Sequence, residues 1–120
     1  MSAPFDPLHF VGLGQRLAQV ATTECELRTA VGRAYYGLFL LARDRRGITG
    51  RDRVHVRTIN AVKSQAGYWA TGCQLDDLRE LRCVADYEVV PEKPQDRDWQ
   101  VNWSRALNIV NHISPKLQRL

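Results

Sequence analysis

A chain of 120 residues, 44% apolar and 25% charged, has the composition of one folded globular domain, which excludes a disordered tail and a collagen-like fibre. Its formal charge of +4 favours polyanionic partners without the excess of a histone-like protein. Cys25, Cys73 and Cys83 are odd in number and form no Cys-x-x-Cys pair, so neither a disulfide framework nor a zinc ribbon is indicated, and a reducing, cytoplasmic setting is expected. No apolar run reaches the ~18 residues of a membrane span, and Met1 to Asp6 lacks the regions of a signal peptide, so no membrane partner is expected.

Pro4 and Pro7 bracket the entry to a first helix, in which Leu8, Val11, Leu17, Val20 and Ala21 recur at helical spacing and Gly12 and Gly14 are weak points. Thr23-Glu24-Cys25-Glu26 reads as a capping box that starts a second helix. From Leu27 the apolar positions Val31, Ala34, Tyr35, Leu38, Leu41 and Ala42 keep the 3.6 period until Gly47, over an arc wide enough for the central member of a bundle. Gly47 to Arg53 is a charged, glycine-bounded connection, followed by a third helix on Val56, Ile59, Val62 and Ala66. A break is expected between Gly67 and Gly72. A fourth helix then carries Leu75, Leu78, Leu81 or Arg82, and Ala85, with Asp76 and Asp77 in its first turn, and ends before Pro91 and Pro94. Asp96 or Asp98 caps a fifth helix bearing Val101, Leu107, Val110 and Ile113, which Pro115 stops. With no strand alternation, hairpin signal or repeat, the pattern predicts an all-α antiparallel up-and-down bundle of four to five helices, one domain over 1–120.

Charge is unevenly spread along this pattern. Fourteen of the seventeen basic residues are Arg, and eight of them lie between Arg28 and Arg57 against only Asp44 and Asp52. Residues 74–98 reverse the balance, with eight acids against four bases. A planar guanidinium fork matches phosphate bidentately, so the Arg-rich stretch suits RNA or DNA; a solvated face with ordinary ion pairs is the competing reading.

Motifs for several chemistries are missing. Gly12-x-Gly14 lacks a third glycine and a preceding strand, and no phosphate-cradling Gly-Lys-Ser/Thr follows. His9, His55 and His112 lie far apart outside any His-Glu-x-x-His pattern, so no metal site or cofactor is expected, and no serine or cysteine nucleophile has a recognisable setting.

Two segments are more specific. Arg28 to Phe39 contains Arg33-Ala34-Tyr35-Tyr36 in the middle of the second helix, and Leu78 to Tyr87 ends in Arg82-Cys83-Val84-Ala85-Asp86-Tyr87. Together with His55 at the start of the third helix, these ordered motifs resemble the compact HEPN domains of prokaryotic toxin and defence proteins, over roughly Thr23 to Tyr87. The resemblance implies the toxin or effector half of a toxin–antitoxin or defence system acting on RNA. It also implies a homodimer with a shared basic groove and a cognate antitoxin, often a minimal nucleotidyltransferase, for which Tyr87 is the matching modification position. Metal-independent endoribonuclease activity is one expectation; a module that binds RNA or nucleotide without cutting, or serves as a helical interaction partner, is the alternative.

Cleavage without a metal needs two proton transfers and stabilisation of charge on the phosphoryl oxygens. Arg82, His55 and Tyr87 are the candidates for that chemistry, with Arg33, Tyr36, Arg51, Arg53 and Asp86 as candidates for contact with RNA. The usual family spacing of Arg followed by His within a few residues is absent at Arg82, and the Arg105–His112 match falls on the wrong helix. Each candidate also has a structural role open to it: Tyr35 and Tyr36 as core aromatics, Arg33 as the ion-pair partner of Asp86, and Trp69, Trp99 and Trp103 as core or interface fillers.

Overall fold

The structure, a computed structural model, describes residues 4–120, and its described elements are helical throughout. They are α1 (Leu8–Val20), α2 (Glu24–Arg46), α3 (Val54–Ser64), α4 (Trp69–Tyr87) and α5 (Trp99–Gln118), with a short 3-10 turn at Pro94–Asp96. The expected all-α bundle is the one observed, and α2 is its central member, touching all four other helices.

Local chemistry at the ends of α2 accounts for its length. Thr23 Oγ1 accepts a hydrogen bond from the Glu26 amide at 3.2 Å, while the Glu26 carboxylate receives the Thr23 hydroxyl and the Thr22 amide. The capping box expected from the sequence is therefore formed, shifted by one residue on its return bond. At the other end Gly47 takes φ +66°, and the amides of Gly47 and Ile48 return to the carbonyls of Asp44 and Arg43, closing two of the free C-terminal acceptors. Between these caps Ala30, Val31, Ala34, Tyr35, Leu38 and Ala42 are all buried.

Small residues then set how closely the helices approach. A Cβ on Gly14 would lie 2.7 Å from the Ala30 carbonyl oxygen, and one on Gly37 would lie 2.8 Å from the Pro7 carbonyl oxygen. These two contacts run α1 antiparallel to α2 at backbone contact. Gly14 is thus a packing position rather than the weak point its helix propensity suggests. Gly72 plays the same part at the crossing of α4 and α3, where a Cβ would lie 3.0 Å from the Lys63 amide nitrogen.

That crossing corrects two expectations. Gly67 to Gly72 is not a break throughout, because α4 begins at Trp69 and passes through Gly72, so Asp76 and Asp77 lie beyond the first turn and do not face the helix N-terminus. Nor does Pro115 stop α5, which continues to Gln118 because Ile113 and Leu117 are buried and outweigh one missing N–H donor. Of the two candidate caps, Asp98 acts, accepting from the amides of Gln100 and Val101. The buried face of α5 is Trp99, Asn102, Ala106, Val110, Ile113 and Leu117, which leaves Val101 exposed. Of the tryptophans, Trp99 fills the core, Trp103 packs at its edge, and Trp69 is exposed under the Lys63 ammonium.

Arg28 ties the first turn of α2 to the last turn of α4. Its guanidinium lies over the Trp99 ring and donates to the carbonyls of Ala85, Glu88 and Val89 at 3.1, 2.7 and 2.9 Å. Those acceptors belong to the frayed end of α4, so one cation satisfies several carbonyls that the helix leaves free.

Two glycines in α1 should respond oppositely to one methyl group. Gly14→Ala drives its Cβ into the Ala30 carbonyl and should destabilise the fold by about 1–3 kcal/mol. Gly12→Ala meets only the movable end of Arg16, at 3.4 Å, and should stabilise by up to about 1 kcal/mol through helix propensity. Thermal unfolding of both variants measures the contrast, at about 4 °C per kcal/mol.

Candidate functional site

The candidate site grows from a buried phenol. Tyr35 is 1% exposed on α2, so its hydroxyl must find a partner inside the protein. It finds His55 Nδ1 at 2.6 Å, on the first turn of α3. The imidazole stacks on Phe39 with centroids 4.1 Å apart and lies beside the Tyr35 ring, whose centroid is 5.7 Å away. The loop delivers His55 to this place through Arg53, which takes φ 50° in the left-handed region, a conformation that costs a non-glycine residue on the order of 1 kcal/mol. Arg43 and Arg57 hold the same loop by donating to the carbonyls of Ile48, Gly50, Thr49 and Asp52.

Two guanidiniums from α4 overlook the pair. Arg82 lies 6.0 Å from the Tyr35 ring centre and binds Asp86 at 2.8 Å; Arg79 binds Asp76 at 2.9 Å. In both ion pairs only Nε is engaged, and the terminal NH₂ groups of Arg79 and Arg82 have no hydrogen-bond partner among the described residues. Each guanidinium therefore keeps an open fork while its charge is balanced by one half-exposed carboxylate.

Burial first, and then the nearby Arg82, Arg79 and Arg43 charges, hold the His55 ring below the ordinary imidazole range, so it is neutral near pH 7. Burial likewise raises the Tyr35 phenol, which stays protonated. The Tyr35 hydroxyl has no other hydrogen-bond partner among the described residues, and when it donates to Nδ1 the neutral ring carries its own proton on Nε2. The outward chemistry of the cluster is a set of donors: two guanidinium forks and one imidazole N–H. Such a set matches phosphoryl oxygens.

The expected residues separate into three groups. His55 and Arg82 come to the two sides of Tyr35, and Asp86 joins them through Arg82. Arg33 does not pair with Asp86, because Arg82 takes that carboxylate and the Arg33 guanidinium instead lies 5.4 Å from the Phe10 ring and 5.5 Å from Tyr36. Tyr36 is half-buried among Phe10, Phe39 and Arg33, an edge of the same aromatic layer. Arg51 and Arg53 are exposed on the loop that precedes His55. Tyr87 stands apart: it is 74% exposed at the end of α4, with no hydrogen-bonded or ring partner among the described residues. Arg79, Asp76 and Phe39 belong to the cluster although none of them is among the expected site residues; Arg79 and Phe39 lie inside the two motif segments. Arg79 stands one helical turn before Arg82 beside the buried Leu78, and that i, i+3 spacing is the sequence signal that could have found it.

Among the described residues, no group of three or more His, Cys, Asp or Glu side chains converges as a metal site, and no helix is long and apolar enough to cross a membrane. Comparison with known proteins finds no family model, no curated protein and no solved structure that matches the chain.

The depressed His55 ring has a thermodynamic signature. The unfolded chain takes up this proton near the ordinary imidazole value of 6.5 while the folded chain resists it, so stability is complete above that value and falls as the pH drops through the folded one. His55→Asn places an amide oxygen where Nδ1 stood and removes the titration. Between about pH 7.5 and about pH 5.5, urea unfolding should show the wild type losing more stability than the variant; parallel losses would contradict the assignment.

Proposed function

We propose that this chain is the RNA-acting effector of a prokaryotic toxin–antitoxin or defence system, built on a HEPN-like bundle, and that it grips the RNA backbone at His55, Arg79 and Arg82. The supporting observation is the open donor set: both guanidiniums spend only Nε on their carboxylates, and the neutral imidazole beside them carries its proton on the nitrogen that Tyr35 leaves free. Phosphodiester oxygens are acceptors only, and donors of this kind would meet them without displacing a protein contact. Arg51 and Arg53, exposed on the adjoining loop, extend the positive surface for the next phosphates.

The same geometry favours holding RNA over cutting it. Attack by a ribose 2′-hydroxyl needs a proton acceptor, and in the tautomer that accepts the Tyr35 proton on Nδ1 the ring presents only an N–H. Within this reading, Tyr87 lies outside the phosphate site and at full reach of another protein. An antitoxin of the minimal nucleotidyltransferase type would meet it there without competing for Arg82. Two copies of the chain would double the phosphate contacts on one strand.

Purified protein should retain labelled single-stranded RNA in excess EDTA, with affinity falling steeply as salt rises and the RNA staying intact. Arg82→Ala should weaken binding about tenfold and lower the salt slope by about 1, while the helical circular dichroism is unchanged. Strand scission in EDTA that His55→Asn abolishes would instead make the chain an endoribonuclease, and failure to retain RNA at low salt would remove the reading altogether.

A further inference from the structure

On the side of α4 that faces α5, the surface has the opposite character. An open groove runs between these helices with Leu81, Val84, Val101 and Ile109 among its lining residues. Just after α4, between the groove-lining Glu88 and Glu92 in the chain, Val89 is 89% and Val90 66% exposed. Exposed branched side chains next to an apolar groove cost solvation free energy that a covering partner would recover.

The rim of the groove identifies the partner's chemistry. Asp77, Glu80, Glu88 and Glu92 line it, and none of the four takes part in an ion pair among the described residues. Of the cations there, Arg79 and Arg105 are already matched to Asp76 and Asp96, which leaves Lys93 alone against four carboxylates. A chain with net charge +4 has thus gathered uncompensated negative charge around its apolar groove. That field repels a polynucleotide and attracts a cation, so the groove is not an extension of the phosphate cluster. An apolar floor with acidic walls complements a helix that carries leucine-like side chains on one face and Lys or Arg along its edges.

We propose that the groove between α4 and α5 is a docking surface for a cationic amphipathic helix of a protein partner. Val84, Val101 and Ile109 receive its apolar stripe, and Asp77, Glu80 and Glu88 pair with its flanking cations. The proposal uses neither His55 nor Arg82, and of the phosphate cluster only Arg79 also lines the groove, where it is paired with Asp76.

The probe is an 18-residue synthetic helix of Leu on one face and Lys on the other, titrated into ¹⁵N-labelled full-length protein. Amide shifts should concentrate at residues 77–92 and 101–109. Fluorescence anisotropy should show affinity reduced about tenfold or more by Asp77→Lys together with Glu80→Lys, and similarly by Val101→Glu, whereas Asp44→Lys at the far end of α2 should leave it unchanged. The matching Leu/Glu peptide should not bind. Shifts spread over the Arg-rich face, equal affinity for the charge-reversed protein, or binding of the Leu/Glu peptide would each overturn the proposal. So would sedimentation of the free protein as a dimer that Val101→Glu dissociates, because the occupant would then be a second copy.

Discussion

A phenol buried to 1% exposure cannot leave its hydroxyl unpaired, and the Tyr35–His55 hydrogen bond is where this molecule meets that requirement. The bond joins the middle of α2 to the first turn of α3 across twenty residues of chain. It holds the imidazole against Phe39 and couples the tautomer of the ring to the phenol proton. It also brings His55 under the field of Arg79 and Arg82, which helps keep the ring neutral. Fold and candidate chemistry are therefore one constraint here: a core aromatic whose polar tip has to be satisfied recruits the residue that faces outward.

Around that centre, helix spacing is set by the absence of side chains. Gly14 and Gly37 let α1 lie against α2, and Gly72 lets α4 cross α3, which draws Arg79 and Arg82 toward the face of α2 that carries Tyr35. Arginines then serve as connectors. Arg28, Arg43 and Arg57 spend their donors on carbonyls at helix ends and in loops, so much of the Arg28–Arg57 cluster is committed to holding the fold together. They keep their charge but commit Nε and a terminal nitrogen to the fold, whereas Arg79 and Arg82, outside the richest stretch, keep both terminal nitrogens free of hydrogen bonds among the described residues. A count of basic residues along the chain therefore locates the charge without locating the site.

The two sides of α4 make the same point with opposite signs. Toward α2 and α3 it presents guanidiniums beside an imidazole; toward α5 it presents carboxylates around apolar side chains. The acid-rich segment 74–98 was visible as composition, yet within it the same helix alternates character every turn. Asp76 and Asp86 face the cations they neutralise, and Asp77 and Glu80 face the groove without partners. Segregation of this kind suits a small protein that presents surfaces of opposite charge on two sides of one helix, with Arg79 at their shared edge.

Helical class, the capping box at Thr23, the end of α2 at Gly47 and the burial of Val31, Ala34, Tyr35 and Leu38 were determined by the sequence itself, because each rests on periodicity or on a hydrogen bond between residues a few positions apart. The start of α4, the run of α5 through Pro115, the partner of Asp86 and the isolation of Tyr87 were decided only by tertiary structure. Each of these depends on what a distant helix places opposite: Lys63 against Gly72, a buried pocket for Leu117, Arg82 reaching the carboxylate before Arg33. Local spacing specifies which residues share a face; long-range packing alone specifies what that face meets.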